Sequence, residues 1–187
     1  MAIDDMIPFV PYFYLFYVTY YFLPEIFLWI LSFYNKRKFW DLFLGAIIVN
    51  ILCCICFLIV NVQMKRAPYE AIVAPYSLFD ESVHNFTEFC YALIHMQYNA
   101  DVGGYNCFPS LHAAFATILI LTGVPLSKKE PHFPLICRII CIVFGVGILV
   151  STFFIKQHYF IDALVAFILT IACYYLAKLL INLFLKH

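Results

Sequence analysis

The stretch Ser151-Thr152-Phe153-Phe154-Ile155-Lys156-Gln157-His158-Tyr159-Phe160-Ile161-Asp162 closes one long apolar run and opens another. It sets a hydroxyl, a cation, an imidazole and a carboxylate at what both runs mark as a membrane edge. Two other short stretches, Lys65–Pro68 and Asn106–His112, sit at the same kind of boundary. The rest of the chain reads as the means of bringing the three together.

The 187 residues are 65% hydrophobic and 12% charged, with mean hydropathy +0.93. A soluble domain is about half apolar and about a quarter charged, so the composition indicates an all-α, polytopic integral membrane protein with a single domain over 1–187. The formal net charge of +0 offers no basic field for nucleic acid. The start, Met1-Ala2-Ile3-Asp4-Asp5, lacks the basic residues of a cleaved signal peptide, so the first apolar run is expected to stay as a span.

A span takes about 20 apolar residues, and five runs meet or approach that length: 8–33, 41–62, 108–124, 135–155 and 159–184. The third is short unless it begins inside the aromatic segment before it. Lys36, Arg37 and Lys38 fill the first short loop, Lys128 and Lys129 precede the fourth span, Arg138 lies at its start, and Lys178 and Lys186 close the last. Five spans put these eight cations on one side, which the positive-inside rule makes cytoplasmic. The N-terminus then faces outward and the C-terminus inward. Lys65, Arg66 and Lys156 are left on the outer side, all three beside the stretches already named. Cations on the disfavoured side need a reason, and an anionic ligand supplies one.

Pro24 is expected to kink the first span. Glu25 beside it reads either as a functional intramembrane carboxylate or, preferentially, as a protonated group or one bonded to backbone that the proline opens. Residues 63–107 form the one long outer connection, and a structureless loop of that length is unusual. Asn85-Phe86-Thr87-Glu88 has the form of a capping box, and Phe86, Phe89, Cys90, Leu93, Ile94 and Gln97 keep a helical period. A short amphipathic helix over 86–97 is expected, as a lid or as an interfacial anchor, with Gly103 and Gly104 ending the segment in a turn. His84 and His95 read as incidental polar residues. Six cysteines lie in apolar runs as small hydrophobes. Cys90 and Cys107 lie outside them, either as a disulfide or, preferentially, as two free thiols. No Cys/His spacing matches a zinc site.

His158 and Asp162 are four apart, which on a helix puts them on one face. A carboxylate on one ring nitrogen fixes the tautomer and frees the other nitrogen as a nucleophile. The plainer alternative is a histidine bonded to a carbonyl, with Asp162 capping its helix. Phe108-Pro109-Ser110-Leu111-His112 opens the third span, with proline in the first turn. Free N–H groups there and the Ser110 hydroxyl make an anion site, and His112 is placed to donate a proton to a departing oxygen. Its alternative is an ordinary helix start. Lys65-Arg66-Ala67-Pro68 offers a bidentate guanidinium, against snorkelling cations among headgroups. An even number of spans between them, none and then two, sets all three stretches on one face.

Here the chain resembles the type-2 phosphatidic acid phosphatase superfamily. That family carries the motifs Lys-x6-Arg-Pro, Pro-Ser-Gly-His and Ser-Arg-x5-His-x3-Asp. The third is matched by Ser151, Thr152, His158 and Asp162, the second by Pro109, Ser110, Leu111 and His112, and the first only by Lys65, Arg66 and Pro68. Leu111 stands for the glycine and Thr152 for the arginine, which removes a bidentate phosphate clamp; Lys156 is the candidate substitute. Phe-Pro-Ser-Leu-His and Lys-Gln-His-Tyr-x-x-Asp look closer to the inositol-phosphoryltransferase-like branch, which includes inositol phosphorylceramide synthases. The resemblance implies that His158 attacks phosphorus to form a phosphohistidine, Asp162 orients it, and His112 protonates the leaving alcohol. It implies that Lys65, Arg66, Ser110, Ser151 and Lys156 hold phosphate oxygens, with no metal or cofactor. The implied activity is a lipid-phosphate phosphatase at the outer face, with the phospholipid bilayer and a membrane lipid phosphate as partners. Transfer of a phospho-headgroup to an alcohol is the alternative, and an inactive phospholipid-binding relative or a small transporter the non-enzymatic ones.

Overall fold

The computed structural model describes residues 2–60, 62–79, 81–101, 107–126, 131 and 133–184. Lys128, Lys129, Lys186, the Gly103–Gly104 turn and Asn106 lie outside them. Among the described residues the regular structure is helical: α1 (Ala2–Met6), α2 (Tyr14–Val18), α3 (Leu23–Tyr34), α4 (Lys36–Ile59), α5 (Ala67–Val73), α6 (Phe86–Ala100), α7 (Leu111–Gly123), α8 (Leu135–Phe154) and α9 (Phe160–Phe184), with 3-10 turns at Pro11–Phe13 and Thr19–Tyr21.

Helices α4, α8 and α9 are each long and apolar enough to cross a membrane, which makes the chain an integral membrane helix bundle. The first expected span is broken: Pro11–Tyr21 and Leu23–Tyr34 meet at a 46° bend. The break falls at Phe22, two residues before Pro24, because Pro24 sits in the first turn of α3 where it needs no N–H partner. Glu25 is exposed in that turn. The third expected span is α7, only 13 residues long. Pro109 is not in its first turn; it precedes Ser110, the N-cap, whose hydroxyl accepts from Ala113 N at 3.1 Å.

Lys36, Arg37 and Lys38 are not a loop. They form the first turn of α4, started by Asn35, whose side chain accepts from Lys38 N at 3.0 Å. The expected amphipathic helix is α6, which runs three residues further than its pattern. Asn85 accepts from Glu88 N at 3.1 Å, and Glu88 returns to His84 N at 2.7 Å rather than to the cap residue itself. His95 is structural, its Nδ1 lying 2.7 Å from Tyr76 O. Helix α5 has no counterpart in the sequence reading; Pro68 in its first turn is its only local signal. All eight cysteines are free.

Helix α7 is the hub. It packs most extensively on α8 and also touches α9, α3 and α4, while α4 packs on α9. Small residues allow this: Ala113, Ala114 and Ala116 are fully buried. A Cβ at Gly145 of α8 would lie 2.5 Å from Ile120 Cγ1 and 2.9 Å from Ala116 O, so only glycine fits there. The buried threonines 117, 122 and 170 bond to carbonyls of their own helices four residues back. The opposite faces are apolar and outward, as Ile139, Val143 and Val146 on α8 illustrate, which suits a lipid surround.

Candidate active site

Three helix ends meet at one end of the bundle: the C-terminus of α8 and the N-termini of α7 and α9. Helix α8 closes in a Schellman arrangement. Gln157 N donates to Thr152 O at 2.9 Å and Lys156 N to Phe153 O at 3.2 Å. Lys156 takes the left-handed position at φ 53° that glycine usually fills, at a cost of about 1–2 kcal/mol. Its ammonium offsets this by donating to Asp4 O at 2.9 Å and to Ile7 O, pinning the N-terminal segment to the turn. The pinning is reinforced by Phe160 N, which donates to Asp4 Oδ1 at 2.7 Å. The tight turn delivers His158 inward, 5% exposed. Ser110 N donates to Asp162 O at 3.1 Å, tying the start of α7 to the start of α9.

His158 Nε2 lies 3.1 Å from His112 Nδ1. Its other nitrogen, Nδ1, lies 3.0 Å from Cys107 O. A carbonyl only accepts, so Nδ1 carries the proton. Burial pushes the His158 pKa down to about 4, with Arg66 adding to the fall against the Cys107 hydrogen bond. The ring is therefore neutral at pH 7, Nε2 carries a lone pair, and His112 Nδ1–H is the donor between the rings. His112 is held from the other side by Tyr17 and Tyr20, with ring centroids at 4.5 and 4.2 Å.

Asp162 does not orient His158. His158 lies in the turn rather than on the helix, so the four-residue spacing does not place the two on one face. The Asp162 carboxylate accepts from Tyr159 N at 2.9 Å, reaching back from the third helical position to the residue that starts α9, as a capping side chain does. The Cys107 carbonyl takes the orienting role.

Arg66 is 3% exposed. It bonds Asp101 through Nη1 to the carbonyl at 3.2 Å and Nη2 to Oδ2 at 2.7 Å, and bonds Gln157 Oε1 through Nη2 at 2.7 Å. Tyr98 of α6 lies under the guanidinium at 5.1 Å and donates to Ile155 O at 2.6 Å. Helix α6 is thus fastened over the turn rather than free as a lone anchor. A cavity of about 870 Å³ opens beside Arg66, lined also by Lys65, Tyr69, Glu70 and His95.

The other expected phosphate ligands fare differently. Lys65 is exposed, its backbone N 3.2 Å from Tyr159 Oη. Ser110 is buried as the cap of α7. Ser151 is not presented to a ligand, because its hydroxyl donates to Ile148 O at 2.7 Å within α8. Lys156 does not replace the missing arginine, because its ammonium faces the N-terminal segment. Thr152, in the arginine's place, donates to Leu149 O at 2.8 Å. The sequence reading missed Tyr17, Tyr20, Tyr98, Asp101 and Gln157. Only Gln157 had a signal, its place beside His158; a backbone carbonyl such as that of Cys107 has none.

The fold and site define a polytopic helical membrane protein that brings two histidines and an arginine together at one end of its bundle. A family model described as PAP2 superfamily matches residues 6–176, and the chain belongs to that superfamily. Membership supports phosphatase or phosphotransferase chemistry in general. No curated protein and no solved structure matches the chain.

Proposed function

We propose that the protein is a membrane lipid-phosphate phosphatase that works through a phosphohistidine at the outer membrane face. One observation carries the reading: a neutral His158 with Nδ1 fixed by a carbonyl, and Nε2 facing a second histidine. His158 Nε2 attacks phosphorus as the bond to the lipid oxygen breaks. His112, carrying a proton on both ring nitrogens once the anionic substrate is beside it, gives its Nδ1 proton to the departing oxygen and is left neutral. Water then attacks, its proton passes to His112, and the N–P bond breaks to restore His158. Arg66 offsets charge on the phosphoryl oxygens. A 3.1 Å contact leaves no room for a phosphoryl group, so substrate entry parts the histidines, and phosphate competes with Asp101 for Arg66. The outer placement rests on the cations: Lys36, Arg37, Lys38, Arg138 and Lys178 gather at the opposite end of the bundle.

A second reading has support from charge. With Lys156 turned away and Thr152 neutral, Arg66 is, among the described residues, the one buried cation at the histidines, and Asp101 shares it. That balance suits a singly charged phosphodiester headgroup better than a doubly charged monoester, and so favours transfer to an alcohol. Purified protein, given a panel of labelled lipid phosphates and phosphodiesters in EDTA, should release free phosphate or form a new phospholipid. His158→Ala should do neither. Turnover by that variant would sink the mechanism.

A further inference from the structure

Among the described residues four buried side-chain polar atoms have no hydrogen-bond partner: Tyr17 Oη, Arg66 Nε, His112 Nε2 and Gln157 Nε2. Burying such an atom unpaired is costly, and each instance in a folded protein asks for a reason. These four come from separate parts of the chain: α2, the segment before α5, α7, and the turn after α8. They are nevertheless neighbours. Gln157 Oε1 accepts from Arg66 Nη2 at 2.7 Å. Gln157 adjoins His158, which meets His112 at 3.1 Å. The His112 ring stacks on Tyr17 at 4.5 Å, and Tyr17 lies within electrostatic reach of Arg66 and Asp101. Tyr17 is 0% exposed, Gln157 2% and Arg66 3%.

Three of the four are of one kind, His112 Nε2 being left an acceptor by the proton on its Nδ1. The Arg66 Nε–H and the Gln157 amide NH2 only donate, and the Tyr17 hydroxyl is able to donate. The Gln157 amide is oriented by its neighbour, since only its oxygen can face the guanidinium. Three donors round a nucleophilic imidazole match a ligand group made of acceptors. The residues at which the motif comparison looks for a second cation are committed elsewhere: Thr152 to Leu149 O and Lys156 to Asp4 O.

We propose, on the phosphoryl-transfer reading above, that Tyr17 Oη and Gln157 Nε2, with Arg66 Nε, hold the phosphoryl oxygens in place of the motif arginine. Two neutral donors then do the work of a guanidinium. The site gains geometry without charge, which makes it favour phosphoryl groups of lower charge while still holding phosphate.

The test uses the intact purified protein in detergent with inorganic phosphate as probe, read by titration calorimetry and by thermal unfolding. Tyr17→Phe removes one orphan hydroxyl. Gln157→Glu keeps the oxygen that Arg66 needs and replaces the donor with a negative charge. Without phosphate, Tyr17→Phe should melt no lower than the parent, because the hydroxyl it loses has no partner. With phosphate, both variants should bind at least about tenfold more weakly and lose most of the phosphate-induced rise in melting temperature, Gln157→Glu more than Tyr17→Phe. Unchanged phosphate binding in both variants while Arg66→Ala loses it would overturn the cradle and leave the proposed function standing. A parent protein that binds no phosphate and turns over no lipid would overturn both.

Discussion

The two ends of α7 are built from similar materials and treated in opposite ways. At the C-terminal end, Lys38 reaches from α4 to donate to Val124 O at 2.6 Å, and Arg138 reaches from α8 to donate to Gly123 O at 3.2 Å. Cations meet the negative end of the helix dipole and its last carbonyls. At the N-terminal end, Ser110 caps the helix, but around it His112, Tyr17, Gln157 and Arg66 each leave a buried polar atom unmatched. One end spends its polar groups on stability, and the other holds them back. Unsatisfied groups are tolerated where function uses them.

Changes at the two ends should separate activity from stability. The largest effect is expected from His158→Ala, with phosphoryl transfer lost to background and the melting temperature kept; full turnover would end the proposed mechanism. His112→Asn should lower kcat by about 10²–10⁴, the usual worth of a positioned proton donor. The pH profile comes next. A histidine held at about 4 stays neutral where a free one is protonated. The acid limb of kcat/KM should therefore fall near pH 4 rather than 6.5, and activity at pH 5 should be nearly full. Stability falls in the same direction but earlier: the unfolded chain takes up the proton near pH 6.5 and the folded one resists it, so stability falls as pH drops from about 6.5 towards 4. An acid limb at 6.5 would show His158 to be solvated in the working enzyme.

At the other end, Lys38→Met should cost about 1–3 kcal/mol through unpaired carbonyls and leave turnover per folded molecule unchanged. Equal loss of activity there would erase the contrast between the ends. The smallest effect is expected from Asp162→Asn. Asparagine keeps an oxygen for Tyr159 N, so a carboxylate that only caps α9 should lose no more than several-fold in kcat. A loss beyond about a hundredfold would mean that Asp162 bonds His158 during the reaction.

The membrane character, the helices α4, α8 and α9, and the meeting of the three stretches were legible in the chain. Each rests on something a linear pattern carries: long apolar runs, and the parity of spans between the stretches. The identity of the histidine pair was legible too, because motif spacing preserves it. The break in the first span was placed only roughly, since proline at the start of a helix and proline in its middle read alike. Helix α5 left almost no signal, its seven residues being too few for a period.

What only the tertiary structure decided is where each polar side chain spends its hydrogen bonds. Lys156, Ser151 and Thr152 stand at the motif's positions, yet their groups go to the N-terminal segment and to α8's own carbonyls. Asp162 is four residues from His158, yet one left-handed residue between α8 and α9 takes His158 off the helix and hands its orientation to the Cys107 carbonyl. Tyr17 and Gln157 enter the site for the same reason. Apolar periodicity is a property of neighbours along the chain, whereas a hydrogen bond is made by whichever group the packed backbone brings within 3 Å.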